Sequence, residues 1–178
     1  MKLDNGRLDE IDRQILQLLQ ADCKTPLAKI GAAVGLSAPS VVERIRKLEH
    51  GGFITGYHAV LDARQVGLDV TAFLGVSIRH PKLIAGFERG VSALADVLEC
   101  HHVTGAYTLL LKVKTQNTAT LEQLISRIRS INGVGRTETM VVLSTHTERL
   151  QVALGICDAP APKSGRRNGA RTRSRTAA

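Results

Sequence analysis

Residues 27–52 restrict the fold of this chain more than any other stretch, because a single glycine separates two short helical segments there. The first segment, Leu27–Val34, has apolar residues at helical spacing, and Gly35 follows it. A glycine at this point adopts the left-handed conformation that ends a helix and turns the chain. Ser37 is a favourable N-cap for a second helix, which the glycine pair at 51–52 ends. The pattern predicts two helices joined by a tight turn.

The second helix of this pair has one apolar side and one polar, cationic side. Its apolar stripe consists of Val41, Ile45 and Leu48. A helix of this kind, packed on one side only, is typical of the helix-turn-helix that lies in the DNA major groove. Taken alone, the segment also fits an all-helical core with a solvated outer face. We expect the residues that contact double-stranded DNA to be Ser37, Ser40, Glu43, Arg44, Arg46 and Lys47.

The residues on either side of this pair complete a small domain and lead into a second one. Leu8 to Gln20 is amphipathic at helical spacing and begins with Asp9 as a cap, so it predicts a third helix. We therefore place a helix-turn-helix DNA-binding domain at residues 1–56. A linking strand and hinge follow at 57–69, because Tyr57 to Leu61 has extended character.

From Val70 onward the hydrophobic period changes repeatedly between alternating and helical, in the order βαββαβ. Strands are predicted at 70–78, 97–103, 107–113 and 134–144, with one helix opening at Pro81 and another at 118–131. This order predicts a four-stranded antiparallel sheet with both helices on one face, a ferredoxin-like (ACT-like) domain at 70–154. The expected fold class is therefore α+β, with a three-helix helix-turn-helix domain joined to it by the linking strand.

The sheet face turned away from the helices carries unusually many apolar groups. If Leu74 points at the helices, then Phe73, Leu110, Met140 and Val142 point away from them. A face left to solvent should be polar at alternate positions. We therefore expect this face to pack against a second copy of the chain, which makes the protein a homodimer.

Positive charge is concentrated at one end of the chain. The formal net charge is +8, yet residues 159–178 hold six basic residues and no acid, which leaves 18 basic and 16 acidic residues in 1–158. Any cationic DNA-facing surface of the folded part must therefore be local. We expect residues 155–178 to form a disordered basic tail, since they have little to bury. Such a tail either attracts phosphates without sequence preference or only aids solubility.

Targeting and metal-binding patterns are absent from the sequence. No segment is long and apolar enough to cross a membrane, and no signal peptide opens the chain. The three cysteines, Cys23, Cys100 and Cys157, have no metal-ligand spacing. We expect a cytoplasmic, nucleoid-associated protein that needs no metal and no cofactor.

Two other function classes compete with a local regulator. An enzyme is one of them, since ferredoxin-like domains host many chemistries. His101 and His102 are its candidates, but adjacent strand residues point to opposite faces, and only Glu99 shares a face with His101. No nucleophile elbow, P-loop or paired-acid pattern occurs, so we expect no catalytic residue. A DNA-packaging protein of low specificity would use the same helix, and this alternative stays open.

Four segments of the chain resemble the Lrp/AsnC (feast/famine) family of transcriptional regulators. They are LDEIDRQILQLLQAD from Leu8, GLSAPSVVERIRKLEHGGFI from Gly35, VTGAYTLLLKV from Val103 and INGVGRTETMVVL from Ile131. The similarity covers roughly residues 8–150, in the order that the family has. The resemblance implies a sequence-specific DNA-binding regulator that dimerises, assembles into octamers and responds to an amino acid or a related small molecule.

The resemblance also implies where such an effector binds. In the family it is bordered by a turn and by the last strand, which here correspond to Gly105, Ala106, Tyr107, Thr108, Thr137 and Thr139. Family members commonly carry an acid at the positions of Ala106 and Thr108, and this sequence has neither. The usual partner of an amino acid's ammonium group is therefore missing. The ligand differs, binds through backbone groups, or is absent.

Overall fold

The computed structural model describes residues 8–154, which fall into two compact units. Of the described residues, 8–53 and 150–154 form the first unit, and the second runs from Ile54 to Arg149. The sequence analysis places 150–154 in the second domain. The structure differs because Gln20 in the first unit is hydrogen-bonded to Gln151 and Val152. The basic tail expected at 155–178 lies outside the described residues.

Three helices make up most of the first unit: α1 (Glu10–Ala21), α2 (Leu27–Val34) and α3 (Ala38–His50). Asp9 and Ser37 cap α1 and α3, because their side-chain oxygens accept backbone N–H bonds from the first turn of each helix. Gly35 ends α2 with φ of 71°, the left-handed conformation that the turn requires. These features confirm the predicted helix pair. Its core is formed by Ile15, Ile30, Val41 and Leu48, each at most 3% exposed.

The second unit has the predicted βαββαβ order. Its elements are β1 (Val70–Ile78), α4 (Ile84–Ser92), β2 (Val97–His102), β3 (Leu109–Thr115), α5 (Thr118–Arg129) and β4 (Val134–Val141). One turn of 3-10 helix, Pro81–Leu83, leads into α4, because Pro81 suits a first helical turn that needs no N–H from it. All strand pairs are antiparallel, in the sheet order β2-β3-β1-β4. The ferredoxin-like arrangement is thereby confirmed.

One face of this sheet carries the core and the other does not. Phe87 of α4 and Ile128 of α5 pack with Leu74 and the alternate residues of β1 and β3. Residues paired directly across strands share a face. The opposite side, which we call the open face, therefore includes Phe73, Gly75, Leu110, Lys112, Glu138 and Met140, together with Glu99 and His101 of β2. The predicted division of apolar residues between two faces is confirmed.

The expected linking strand is not formed within the described chain. Residues 57–61 make no strand, and Val60 and Leu61 are 77% and 68% exposed. A strand needs a hydrogen-bonded neighbour, and the four-stranded sheet of residues 70–141 includes no pairing with this segment. The prediction was therefore wrong for a single chain. β3 also begins two residues later than predicted, at Leu109, because Tyr107 lies in the turn before it.

Candidate DNA-binding surface and effector region

Two serines, Ser37 and Ser40, interact at the N-terminal end of α3, which Ser37 caps. Ser37 Oγ accepts the backbone N–H of Ser40 at 3.3 Å, and the two hydroxyl oxygens lie 2.8 Å apart. The turn before this end is tight, because a Cβ added at Gly31 would collide with the backbone carbonyl oxygen of Leu36. The first N–H groups of a helix carry partial positive charge, so this end of α3 suits contact with phosphates.

The outward side of α3 is more exposed at some predicted residues than at others. Glu43, Arg46 and Lys47 are exposed, whereas Ser40 and Arg44 are half-buried on the flank of the helix. Lys47 Nζ lies 2.8 Å from a Glu43 carboxylate oxygen, one helical turn away. The hydrogen bond from Lys47 lowers the pKa of Glu43. Among residues 8–154 no ion pair involves Arg46, so its charge is available to a phosphate or a base.

Arg44 links α3 to α1. Its Nη1 donates to Asp9 Oδ2 and to Asp12 Oδ1, both at 2.7 Å. The Arg44 side chain is 29% exposed, and those of Asp9 and Asp12 are 52% and 19% exposed. Both bonds use the same nitrogen, so the Nε and Nη2 donors of the guanidinium are not used by them.

The ionisation of this cluster follows from its geometry. Burial opposes the charged form of Asp9, but the hydrogen bond from Asp12 N–H and the Arg44 guanidinium outweigh it and lower the pKa of Asp9. Hydrogen bonds to Asp9 and Asp12 likewise raise the pKa of Arg44 above its usual value. The sequence analysis identified Asp9 as a helix cap and missed its pairing with Arg44. Their separation by 35 residues left no local signal for it.

The turn expected to border an effector is built around a glycine and a threonine. Gly105 has φ of 114°, a conformation that side chains disfavour. Thr108 is tied to β1, because its hydroxyl accepts the backbone N–H of Ile78 at 3.1 Å and its own N–H donates to the carbonyl of Val76. Ala106 is exposed, and its carbonyl oxygen lies 3.5 Å from the Ser77 hydroxyl. Thr108 therefore has a structural bond before any ligand arrives.

Tyr107 lies flat across the open face and reaches a carboxylate. A Cβ added at Gly75 would come within 2.6 Å of its ring, so only a glycine accommodates the ring there. A hydrogen bond with Glu138 raises the pKa of the Tyr107 phenol. Arg136 Nη2 donates to Glu138 at 2.8 Å. The sequence analysis did not identify Glu138 as a neighbour of this turn. Aligning β1 with β4 would have indicated it, because Glu138 pairs with Gly75, against which the Tyr107 ring packs.

The structure divides the remaining candidate effector residues between two sides of the sheet. Thr137 and Thr139 pair with Val76 and Leu74, which belong to the core, so both threonines face the helices. Tyr107 and Glu138 are on the open face instead. The six residues therefore do not line one common surface of a single chain.

Of the two histidines considered for catalysis, His101 lies in a charged cluster of the open face, whereas His102 pairs with the core residue Leu109 and points to the other face. His101 Nε2 lies 3.1 Å from Glu99, whose other oxygen is 3.3 Å from Lys112 Nζ, and Lys112 also bonds Glu148. The hydrogen bond from His101 is the main reason for the lowered pKa of Glu99. Within residues 8–154, no group of three or more histidine, cysteine or acidic side chains is placed to hold a metal ion. None of the helices in that range is long and apolar enough to span a membrane.

Comparisons with known proteins identify both units. The AsnC-type helix-turn-helix domain matches residues 8–49, and the Lrp/AsnC ligand binding domain matches residues 71–152. The chain is 35% identical over 147 residues to the HTH-type transcriptional regulator FL11 of Pyrococcus horikoshii, a match that covers 83% of this chain and 97% of that protein. It is 30% identical over 142 residues to the regulatory protein AsnC of Escherichia coli, with 79% and 93% covered.

Solved structures agree with this assignment. The structure of Escherichia coli AsnC matches with a TM-score of 0.75 and 29% identity over 80% of this chain and 97% of that one. A transcriptional regulator from Neisseria meningitidis, solved as a complex with L-methionine, matches with a TM-score of 0.79 and 27% identity over 83% and 97%. These proteins are transcriptional regulators rather than enzymes, as expected from the sequence. The chain belongs to the Lrp/AsnC family of DNA-binding transcriptional regulators.

Proposed function

We propose that α3 enters the DNA major groove and that its N-terminal and outward residues read an operator. The contact residues are Ser37, Ser40, Glu43, Arg44, Arg46 and Lys47. Support comes from the exposure of Ser37, Glu43 and Lys47, and above all from exposed Arg46, which lacks an ion pair in the described part of the chain. Arg44 contributes through its Nε and Nη2 donors while Asp9 and Asp12 hold its Nη1. Because the proposed target is chromosomal DNA, the proposal places the protein in the cytoplasm, associated with the nucleoid.

Footprinting on the region upstream of the protein's own gene tests this proposal. Two discrete protected half-sites, about 10 bp or a multiple apart, are expected of a symmetric dimer. Arg46→Ala and Lys47→Ala should each weaken operator binding by about 1–3 kcal/mol where the side chain contacts a base. Lys24→Ala is the control, since it removes one positive charge from the loop after α1. Uniform protection of any duplex would instead favour a DNA-packaging protein.

Two copies of the chain pack through the open face in this proposal. Met140 is 42% exposed there and lies beside Phe73, an apolar pair that solvent would otherwise contact. Val60 and Leu61, which are 77% and 68% exposed outside the sheet, support the same conclusion, because packing against a second copy removes such apolar side chains from solvent. Dimers assemble further into octamers, as the family resemblance implies.

Sedimentation velocity measures the assembly directly. The wild-type chain should sediment as a dimer or a larger even-numbered species at micromolar concentration. Met140→Glu introduces a charge into the open face and should shift the protein toward monomers. Val66→Glu is the control, because Val66 is 57% exposed in a turn that belongs to none of the four strands. A monomeric wild type, or equal effects of the two substitutions, would contradict the open-face interface.

An amino acid or a related small molecule modulates this DNA binding, and Glu138 supplies the carboxylate that the turn lacks. The complex of the Neisseria meningitidis relative with L-methionine supports an amino-acid ligand. Glu138 is close enough to Tyr107 for a hydrogen bond, so a carboxylate is present beside the turn despite Ala106 and Thr108. Ion pairing with an ammonium group is the role that the proposal gives it.

Thermal-shift measurements with L-methionine and other amino acids test the effector proposal. A ligand that binds only the folded chain raises the unfolding temperature, because at free concentration L it stabilises the folded state by RT ln(1 + L/Kd). Glu138→Gln should abolish the shift, whereas Glu122→Gln, an exposed substitution on α5, should keep it. If Glu138→Gln responds as the wild type does, another group holds the ammonium.

A further inference from the structure

A cavity of about 200 Å³ lies beside α5 in the second unit. Four of its lining residues form one stripe of that helix: Thr120, Gln123, Leu124 and Arg127. They share a side of the helix because residues three, four and seven positions apart lie one above the other. Three more lining residues come from loops: Leu68, Asp96 and Gln116. The residues considered above for DNA or effector binding are not among the residues that line this cavity.

Asp96 and Arg127 are the two charged side chains of this cavity. Asp96 is half-buried, and Arg127 is exposed in the last turn of α5. Among residues 8–154 neither of them forms an ion pair, with the other or with a third residue. Opposite charges that line one cavity without neutralising each other are each available to a charged group of a ligand.

The backbone carries these two residues at different ends of the cavity. Asp96 lies beside the end of β3, because its carbonyl accepts the N–H of Lys114 at 3.0 Å, and α5 begins only a few residues further along. Arg127 lies near the other end of α5, seven positions after Thr120, which is about 10 Å along the helix axis. A ligand that meets both charged side chains therefore carries its own charges several bonds apart.

The rest of the lining limits the size and the polarity of such a ligand. Leu68 is half-buried and Leu124 is 1% exposed, so both supply apolar surface to the cavity. This surface suits methylene groups, which gain by leaving water. Drug-sized ligands occupy about 300–1,000 Å³, whereas this cavity has the volume of only about seven water molecules in the liquid. The ligand is therefore a small, unbranched molecule.

We propose that this cavity binds an ω-amino acid, a short aliphatic chain with an ammonium group at one end and a carboxylate at the other. Asp96 accepts hydrogen bonds from the ammonium group, and Arg127 donates two to the carboxylate. The side-chain amides of Gln116 and Gln123 supply further hydrogen bonds. This site is separate from the turn and from Glu138, and it depends neither on the DNA contact of α3 nor on the open face. An α-amino acid meets only one of its charged residues, because both charges of that ligand are attached to one carbon.

Isothermal titration calorimetry with 5-aminopentanoate tests the site on the full chain. Its isomer L-norvaline is the control for charge separation, and pentylamine and pentanoate each lack one of the two charges. In Glu138→Gln, which lacks the carboxylate of the effector proposal, 5-aminopentanoate should bind at least about tenfold tighter than any of these three, because each loses a charge-assisted hydrogen bond. The wild type should bind 5-aminopentanoate as Glu138→Gln does. Equal binding of the two isomers to Glu138→Gln, or no binding of 5-aminopentanoate at millimolar concentration, would overturn the proposal.

Substitutions in the lining locate the ligand. Arg127→Gln and Asp96→Asn should each weaken the binding of 5-aminopentanoate at least about tenfold. Arg129→Gln is the matched control, because it removes an exposed cation from the same turn of α5 without touching the cavity. Asp69→Asn is the control for the acid, since Asp69 is exposed next to Leu68 and does not line the cavity. Thermal unfolding without ligand verifies that each variant is folded.

The outcomes separate this site from the proposed function. Unchanged affinity in Arg127→Gln, or an equal loss in Arg129→Gln, overturns the cavity site. A loss of 5-aminopentanoate binding in Glu138→Gln also overturns it, because the ligand would then belong to the effector region. Footprints on the operator and the thermal shift with L-methionine decide the proposed function independently, since neither uses the cavity.

Discussion

Arg44→Ala should destabilise the helical unit more than any other single charge removal on α3. The Arg44–Asp12 bond is the stronger of its two links, because these side chains are only 29% and 19% exposed and the bond length is 2.7 Å. A charge-assisted hydrogen bond in such a setting contributes about 1.5 kcal/mol. Asp9 is 52% exposed, so solvent screening reduces its link to about 0.5 kcal/mol. Arg44→Ala should therefore cost about 2 kcal/mol.

Lys47→Ala is the matched control on the same helix. It breaks a pair of similar length, 2.8 Å, whose side chains are 45% and 69% exposed. A surface pair one helical turn apart contributes little, because solvent screens the two charges and holding both side chains in place costs entropy. The difference between the two substitutions thus isolates the effect of partial burial and of linking α1 to α3.

Urea unfolding combined with amide hydrogen exchange in α1 and α3 measures these effects. A double-mutant cycle of Arg44→Ala with Asp12→Asn should give a coupling energy of about 1–1.5 kcal/mol, larger than that of Arg44→Ala with Asp9→Asn. Faster exchange is expected in both helices, since the bond joins them. The reasoning is refuted if Arg44→Ala costs no more than Lys47→Ala, or if the coupling is larger with Asp9.

Three further predictions follow from local geometry. Gly31→Ala should destabilise the helical unit by about 1–3 kcal/mol in thermal unfolding, because its Cβ collides with the Leu36 carbonyl; Gly86→Ala, in the open interior of α4, should instead be neutral or stabilising by up to about 1 kcal/mol. The pKa of Asp9 is lowered on folding, so its contribution to the free energy of unfolding is complete above the unfolded pKa and is lost as pH falls through the folded pKa. Asp9→Asn should therefore reduce the loss of stability at acid pH, measured by unfolding at a series of pH values. Gly75→Ala should displace the Tyr107 ring and return the pKa of its phenol toward the ordinary value in a spectrophotometric titration, whereas an unchanged titration would contradict the contact with Glu138.

Much of the fold could be predicted from the sequence because its signals are local. The cap at Ser37, the turn at Gly35 and the alternation in β1 each depend on a few neighbouring residues, and each occurs as expected. The linking strand at 57–61 could not be predicted correctly, since a strand depends on a partner that the residues themselves do not specify. The hydrogen bond between Gln20 and Val152 escaped prediction for a similar reason, because the two residues are 132 positions apart in the chain.

The ion pairs of the candidate DNA surface were likewise not predictable from the sequence of α3 alone. Helical periodicity places Arg44 and Lys47 on one stripe and predicts equal roles for them. The packing of α1 makes them different: Arg44 is oriented by two carboxylates, while Lys47 pairs only with its own helix. Because the Nη1 atom of Arg44 is already held, the side chain loses little further entropy when its Nε and Nη2 donors bind DNA. This favours bidentate hydrogen bonding to a base over simple charge attraction to phosphates. Neutralisation by Asp9 and Asp12 at the same time weakens its attraction for any phosphate. A helix of this kind discriminates between DNA sequences better, but binds phosphates less tightly, than one whose cations are unpaired. The chain should therefore still bind its operator at salt concentrations that abolish its binding to random duplexes.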